Sequence, residues 1–161
     1  MTINELCWIA MSYIFSPNAA PSYQKKISRS IPQRFHVCKQ VAKEAKKQNI
    51  SPYLAVAIAY HETRFTNSTS SKGAKGPLGV IPKYHCTTVP CDYTQAGIHA
   101  LKKFIKLNPD DLCTALAQYN AGLKGSCSDH RLGADYAESV IDMTYELKLF
   151  NQKECYNQPI R

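Results

Sequence analysis

The chain is 161 residues long, with 44% hydrophobic and 20% charged residues. This balance is typical of a globular protein, and the length excludes two domains that each bury a sizeable core. Twenty Lys and Arg against twelve acidic residues give a net charge of +8, so the surface attracts anions. Nucleic acid, phospholipid headgroups and acidic cell-wall polymers all fit that sign, and the charge alone does not choose between them.

The N-terminal apolar run, residues 6–15, resembles an export signal only superficially. No Lys or Arg precedes it, and an export signal has a positive segment at that place. Thr2 and Glu5 have the spacing of a capping box, which predicts a short packed helix. A Ser/Pro/Asn/Ala stretch at 16–22 follows. We therefore expect residues 1–22 to form a helix and linker, and residues 23–161 to form the main domain.

Helical spacing of apolar residues recurs over 33–48, and its opposite side is basic. That basic side is either an ordinary solvated face or a surface that attracts anions. Ser51 and Pro52 mark the start of a second helix. From 53 to 60 every residue is apolar or aromatic, which places this helix in the middle of the domain. A loop rich in Ser, Lys and Gly is predicted over 66–82.

Three more helices complete the predicted order. Asp92 and Gln95 mark the start of one, and another runs from Asp110 or Asp111 to Gly122. The last carries five large residues on one face: Tyr136, Val140, Met143, Leu147 and Phe150. No internal repeat and no convincing strand pattern is present. The predicted fold class is mainly α.

The seven cysteines admit several states: Cys7, Cys38, Cys86, Cys91, Cys113, Cys127 and Cys155. Outside the cytoplasm they could form disulfides, and the odd count leaves at least one thiol free or paired elsewhere. No C-x-x-C spacing occurs. Cys86 and Cys91, beside His85, are compatible with a local disulfide, plain buried thiols or a metal site.

Glu62 is the candidate catalytic residue. It shares a helix face with Leu54 and Ile58, at the C-terminal end of the predicted apolar helix. Burial and the negative helix end both raise the pKa of a carboxyl there, as a general acid requires. The alternative is an ordinary Glu at a fraying helix end, paired with Arg64 or a nearby Lys. A zinc protease motif beginning at His61 is excluded because position 65 is Phe. We expect no metal and no cofactor.

Four segments resemble the catalytic domain of soluble lytic transglycosylases, which are relatives of goose-type lysozyme. They span roughly residues 50–145 in the family's order: Glu62-Thr63-Arg64-Phe65, like Glu-Ser-x-Phe; Ser70 to Gly76, like Ser-x-x-Gly-Ala-x-Gly, closing on Pro82; Ala117 to Gly122, like Ala-x-Tyr-Asn-Ala-Gly; and Tyr136, like the family's Tyr-Val. Gly79 departs from the pattern because it stands where the family has a substrate-binding Gln. The first 45 or so residues have no counterpart.

The resemblance implies a lysozyme-like single domain, with a Gly/Ser-rich loop wall beside a central buried helix. It implies that Glu62 is the single acid and base that cleaves the bond between N-acetylmuramic acid and N-acetylglucosamine, leaving a 1,6-anhydro ring. Ser70 and Asn120 would bind the sugar, and Tyr119 and Tyr136 would orient groups near Glu62. Both tyrosines are also ordinary helical core residues, and Asn120 is also compatible with a helix cap.

Three functions remain open at this stage. They are a transglycosylase, a hydrolytic muramidase in which Glu62 or a partner such as Asp92 activates water, and a non-catalytic component that binds cell wall or builds a virion. The expected partners are peptidoglycan glycan strands and proteins of a virion or secretion apparatus, without nucleic acid or stable membrane insertion. The expected place of action is the periplasm or cell wall, reached with a phage particle or secretion machine.

Overall fold

The computed structural model describes residues 1–15 and 20–156, with side chains described as far as residue 151. Its α-helices, in chain order, are α1 (Ile3–Ser12), α2 (Pro21–Lys47), α3 (Pro52–Thr63), α4 (Pro82–His85), α5 (Tyr93–Leu107), α6 (Leu112–Ala121) and α7 (Ala134–Tyr156), with a 3-10 turn at His130–Leu132. The described ranges contain no strand, only isolated bridges that join Lys75 to Thr69 and to Val80. The prediction of a mainly α protein is confirmed.

Helix α1 packs onto the core as predicted. Thr2 and Glu5 complete the capping box in both directions, and Leu6, Cys7 and Met11 are buried. Because α1 contacts α2, α3 and α7, it shares the core of the remaining chain. None of the helices in the described ranges has the length and apolar character that crossing a bilayer requires.

Helix α2 begins twelve residues before the predicted segment 33–48, at Pro21. Residues 21 and 22, assigned to the linker from the sequence, therefore belong to its first turn, while 16–19 lie outside the described residues. Proline suits the first helical position because its missing N–H has no helical partner there. The early part of α2 buries only Ile27. One buried residue gives no detectable periodicity, so the sequence analysis missed it.

Helix α3 lies at the centre of the protein. Its residues 54–59 are all buried, and it packs against α1, α2 and α7. Ser51 occupies the cap position, but its side chain makes no capping hydrogen bond, so Pro52 is the effective start signal. The predicted central helix is confirmed, and it ends at the candidate site.

The C-terminal half follows the predicted boundaries closely. Asp92 and Asp111 cap α5 and α6, accepting from the backbone N–H of Gln95 and Thr114. Helix α6 stops before Gly122. On α7, Val140, Met143 and Leu147 are buried, whereas Phe150, predicted on the same face, is 46% exposed. The apolar stripe of α7 ends one turn earlier than its sequence pattern indicates.

Three disulfides cross-link the described residues: Cys7–Cys38, Cys86–Cys91 and Cys113–Cys127. Of the alternatives for Cys86 and Cys91, the structure contains the local disulfide, so these sulfurs are not metal ligands. No group of three or more His, Cys, Asp or Glu is arranged to hold a metal in the described part of the chain. The side chain of Cys155 lies outside it.

Removing the Cys7–Cys38 bridge should cost more stability than removing any short-range one. The bridge closes a 31-residue separation between α1 and α2, and both cysteines are fully buried. Loop-closure entropy predicts a loss of about 3–4 kcal/mol for Cys7→Ala with Cys38→Ala, against about 2 kcal/mol for the five-residue separation of Cys86–Cys91. Chemical denaturation of the two double variants measures both values, and equal losses would contradict the chain-entropy account.

Candidate active site

Glu62 lies in the last turn of α3, and most of its carboxyl is shielded from water. This burial raises the pKa of the Glu62 carboxyl above its ordinary value, as the sequence predicted. The carboxylate forms no ion pair in the described part of the chain. Arg64, the predicted alternative partner, instead donates to the Tyr60 carbonyl at 2.7 Å and lies over the Tyr60 ring at 3.9 Å. Glu62 is therefore not a salt-bridged surface residue.

A tight reversal follows Glu62. Arg64 and Phe65 both adopt left-handed backbone conformations, with φ of 53° and 60°, and Phe65 is fully buried. Two consecutive non-glycine residues at positive φ are uncommon, and the burial of Phe65 offsets part of their cost. The reversal ends α3 and sends the following loop back past the Glu62 carboxyl.

Thr63 fastens the returning loop to the helix. Its hydroxyl donates to the Pro77 carbonyl at 3.1 Å and accepts from the Thr66 backbone N–H at 3.1 Å. From the sequence, Thr63 is only one position of a motif and has no predicted role. Its position beside Glu62 was visible in the sequence, but the bond to a residue fourteen positions away was not.

The loop over 66–81 forms the wall beside Glu62. Lys75 and Val80 exchange two backbone hydrogen bonds, which fold the segment between them into a compact turn. Gly79 has a φ of +64°, and a Cβ atom built on it would lie 2.5 Å from Oε2 of Glu62. The positive φ favours a glycine here, and any side chain would force the Glu62 carboxyl to move from its present position. A glutamine here would displace the carboxyl that it is expected to assist.

Two tyrosines complete the surroundings of Glu62. The Tyr119 hydroxyl is buried and donates to the Leu78 carbonyl at 2.6 Å, which fixes the loop wall to α6. The Tyr136 hydroxyl is buried and has no partner at full hydrogen-bonding geometry. The Tyr136 hydroxyl nevertheless interacts with the Glu62 carboxylate and lowers its pKa. Burial raises that pKa, and the effect of burial is the larger of the two. Burial, followed by the charge of Glu62, raises the pKa of both phenols.

His61 is a titratable neighbour that the sequence analysis mentioned only to exclude a zinc motif. Its ring centroid lies 6.4 Å from that of Tyr136, in an edge-on arrangement. Burial and then the charge of Arg64 lower the pKa of the His61 imidazole. Near neutral pH this ring is therefore uncharged and does not pair with Glu62.

Ser70 and Asn120, the other two predicted site residues, are exposed. The Ser70 hydroxyl accepts from the Ala74 backbone N–H at 3.0 Å and so closes a turn of the loop. Asn120 lies in the last turn of α6, and its side chain makes no hydrogen bond within the described residues. Neither residue bonds to Glu62. The structure thus brings Glu62, Tyr119 and Tyr136 together, and the sugar-binding roles of Ser70 and Asn120 stay predictions.

Four surface concavities of the described chain are lined by residues other than Glu62. One of about 240 Å³ lies beside α5 and is lined by His85, Asp92 and His99 among others. The carboxylate of Asp92 accepts from the Gln95 backbone N–H as the cap of α5. Asp92 therefore has a structural role at a different place on the surface.

Comparison of the chain with protein-family models, curated proteins and solved structures finds no match.

Proposed function

We propose that the protein is a peptidoglycan lytic transglycosylase with a lysozyme-like fold. It would cleave the β-1,4 bond between N-acetylmuramic acid and N-acetylglucosamine and leave a 1,6-anhydro ring. The observation that carries the proposal is a partly buried, unpaired Glu62 carboxyl with a raised pKa, beside Tyr136 and Gly79. These residues belong to segments that follow the order of motifs in soluble lytic transglycosylases.

Glu62 performs the acid step. Because burial raises its pKa, a larger fraction of this carboxyl holds its proton near neutral pH than of a solvated one. The proton passes to the glycosidic oxygen, the bond from that oxygen to C1 of the muramic residue breaks, and N-acetylglucosamine leaves with a new hydroxyl. The positive charge that develops at C1 is then close to the new Glu62 carboxylate.

The same carboxylate performs the base step. It takes the proton of the muramic C6 hydroxyl while that oxygen forms a bond to C1. The proton returns to Glu62, the anhydro ring closes, and no water is consumed. Tyr136 lowers the pKa of Glu62, so its hydroxyl would stabilise the Glu62 anion that exists between the two transfers.

Tyr119 is a positioning residue. Its hydroxyl donates to the Leu78 carbonyl, next to Gly79, so it fixes the backbone that contacts the Glu62 carboxyl. Tyr119→Phe would remove the hydrogen bond that fixes the loop wall. It would not remove a group that touches the reacting atoms.

The hydrolytic alternative is less well supported. A hydrolase of the usual kind places two carboxyl groups across the scissile bond. The pKa of Glu62 is shifted by burial and by Tyr136, with no contribution from a second carboxyl. Asp92, the partner considered from the sequence, is the cap of α5. A non-catalytic wall-binding component is kept as the second alternative because Gly79 replaces the family's Gln.

The proposed setting is local penetration of the wall by a phage virion or a secretion machine. The substrate is the glycan strand of peptidoglycan, and the other partners are proteins of that particle or machine. This setting rests on the resemblance alone.

Mass spectrometry of the products tests the reaction. Purified peptidoglycan digested with the protein should release muropeptides that end in 1,6-anhydro-N-acetylmuramic acid. Reducing ends would establish the hydrolase instead. Undigested glycan strands, with the protein bound to the sacculus, would establish the non-catalytic component.

A further inference from the structure

The positive charge of the protein is concentrated in one helix. Helix α2 contains eight Lys and Arg and one Glu, a net charge of +7 out of +8 for the whole chain. The proposed catalytic mechanism uses none of these side chains. Such an uneven charge distribution indicates a binding surface that is separate from the site around Glu62.

Six of these cations form what we term the basic ridge: Lys25, Lys26, Arg29, Lys39, Lys43 and Lys46. At 100° per residue they fall on the outer half of α2, away from the buried Ile27, Val41 and Ala45, and Lys47 falls on that half too. Five are exposed, and Lys39 is half-buried. From Lys25 to Lys46 the helix rises about 32 Å. The ridge is thus an elongated band along the outer half of the helix, with Lys25, Lys26 and Arg29 lining an open concavity at its N-terminal end.

No ridge residue forms an ion pair within the described residues, and the acidic groups nearest to it, Glu44 and Asp92, line one surface concavity together with Lys43. In the described part of the chain, the one ion pair on α2 joins Lys47 to Glu44, and neither residue belongs to the ridge. Arg34, the remaining cation of α2, donates to the Arg64 carbonyl instead. Six like charges without counterions of their own repel one another, and an anionic partner would relieve that repulsion.

An exposed aromatic cluster borders the ridge. Trp8 is the only tryptophan of the chain and is 59% exposed. Its ring lies 4.5 Å from that of Phe35, and the Lys39 ammonium lies 5.6 Å from the Phe35 ring centroid. The indole of α1 is therefore joined to the ridge through Phe35 and Lys39.

We propose that the basic ridge and Trp8 form a peripheral docking surface for an anionic phospholipid bilayer. A long row of lysines fits a flat anionic surface, since their flexible stems lie along apolar groups while their ammonium groups reach phosphate. An indole beside them matches the boundary between headgroups and acyl chains. This surface is independent of the transglycosylase proposal.

The single tryptophan makes the test direct. Fluorescence of the full chain is recorded with vesicles of equal phosphatidylglycerol and phosphatidylcholine, and with pure phosphatidylcholine. The mixed vesicles should shift Trp8 emission to the blue, and the pure ones should not. Lys39→Gln with Lys43→Gln and Lys46→Gln should weaken binding on the order of a hundredfold, because each cation near an anionic surface contributes roughly fivefold.

A matched control removes three exposed lysines elsewhere: Lys103, Lys106 and Lys124. Lys103→Gln with Lys106→Gln and Lys124→Gln should change vesicle binding less than tenfold, with the same net charge as the ridge variant. Equal weakening by both triple variants would show that vesicle binding depends on net charge alone. That result would overturn the proposal that the basic ridge is the docking surface. Cosedimentation without a Trp8 shift, or tighter binding to soluble polyphosphate or RNA than to the vesicles, would overturn the lipid assignment.

Discussion

Glu62→Gln is expected to reduce the rate of peptidoglycan cleavage by at least about a thousandfold. One side chain both gives and takes a proton in the proposed mechanism, and positioned acid–base catalysis contributes roughly 10²–10⁴-fold for each transfer. The amide has the shape of the carboxyl but transfers neither proton. Release of anhydro-muropeptides from purified sacculi, followed over time, measures the loss.

The folded state of Glu62→Gln supplies the control. The pKa of Glu62 is raised in the folded protein, so its contribution to stability is fully present below the unfolded value, near 4.5, and is lost as the pH rises through the folded value. The Gln variant should therefore be more stable than the parent at pH 7, by about 1.4 kcal/mol for each pH unit between the two pKa values, and the difference should vanish near pH 4. A folded Gln variant that still digests the wall would exclude Glu62 as the catalyst.

Gly79→Ala should impair the site far more than an alanine at another left-handed glycine. The new Cβ would lie 2.5 Å from Oε2 of Glu62, so the carboxyl or the loop has to move. A displacement of about 1 Å at a catalytic group can cost roughly a hundredfold in rate, and we expect a loss of that size. The left-handed backbone adds about 1–2 kcal/mol of destabilisation.

Gly73→Ala is the matched control because it introduces the same backbone strain without a contact to Glu62. Gly73 lies in the same loop with a φ of +81°, but nothing is within 4 Å of its Cβ position. Both alanine variants should lose a similar free energy of unfolding from backbone strain, while only Gly79→Ala should lose most of its cleavage rate. Equal activities of the two variants would show that the contact between Gly79 and Glu62 does not matter for function.

Local signals made most of the helices predictable. Thr2, Asp92 and Asp111 cap the helices that they were predicted to start, and Gly122 ends α6. A helix cap is recognised from three or four neighbouring residues, so its prediction needs no knowledge of the tertiary structure. The early part of α2 was missed for the converse reason, since Ile27 is its single buried residue and only Ile31 packs beside it against the core.

The site was predictable in its chemistry but not in its contacts. Glu62 was recognisable because its position at the end of an apolar helix coincides with a segment that resembles a catalytic motif. Its contact with Gly79 depends on the two left-handed residues that reverse the chain, Arg64 and Phe65. Neither is a glycine, and the sequence carries no signal for positive φ at such residues. For that reason, the sequence shows only that Gly79 replaces a substrate-binding Gln. The close contact with Glu62 that accounts for the glycine is visible only in the structure.

Titration of the Glu62 carboxyl in the intact protein tests the central claim most directly. Carbon-detected NMR, assigned by comparison with Glu62→Gln, follows the carboxyl between pH 3 and 9. The account predicts a pKa clearly above 4.5, and a further rise in Tyr136→Phe because that hydroxyl lowers it. A pKa at or below 4.5, unchanged by the loss of the Tyr136 hydroxyl, would mean that Glu62 is an ordinary solvated side chain and no general acid.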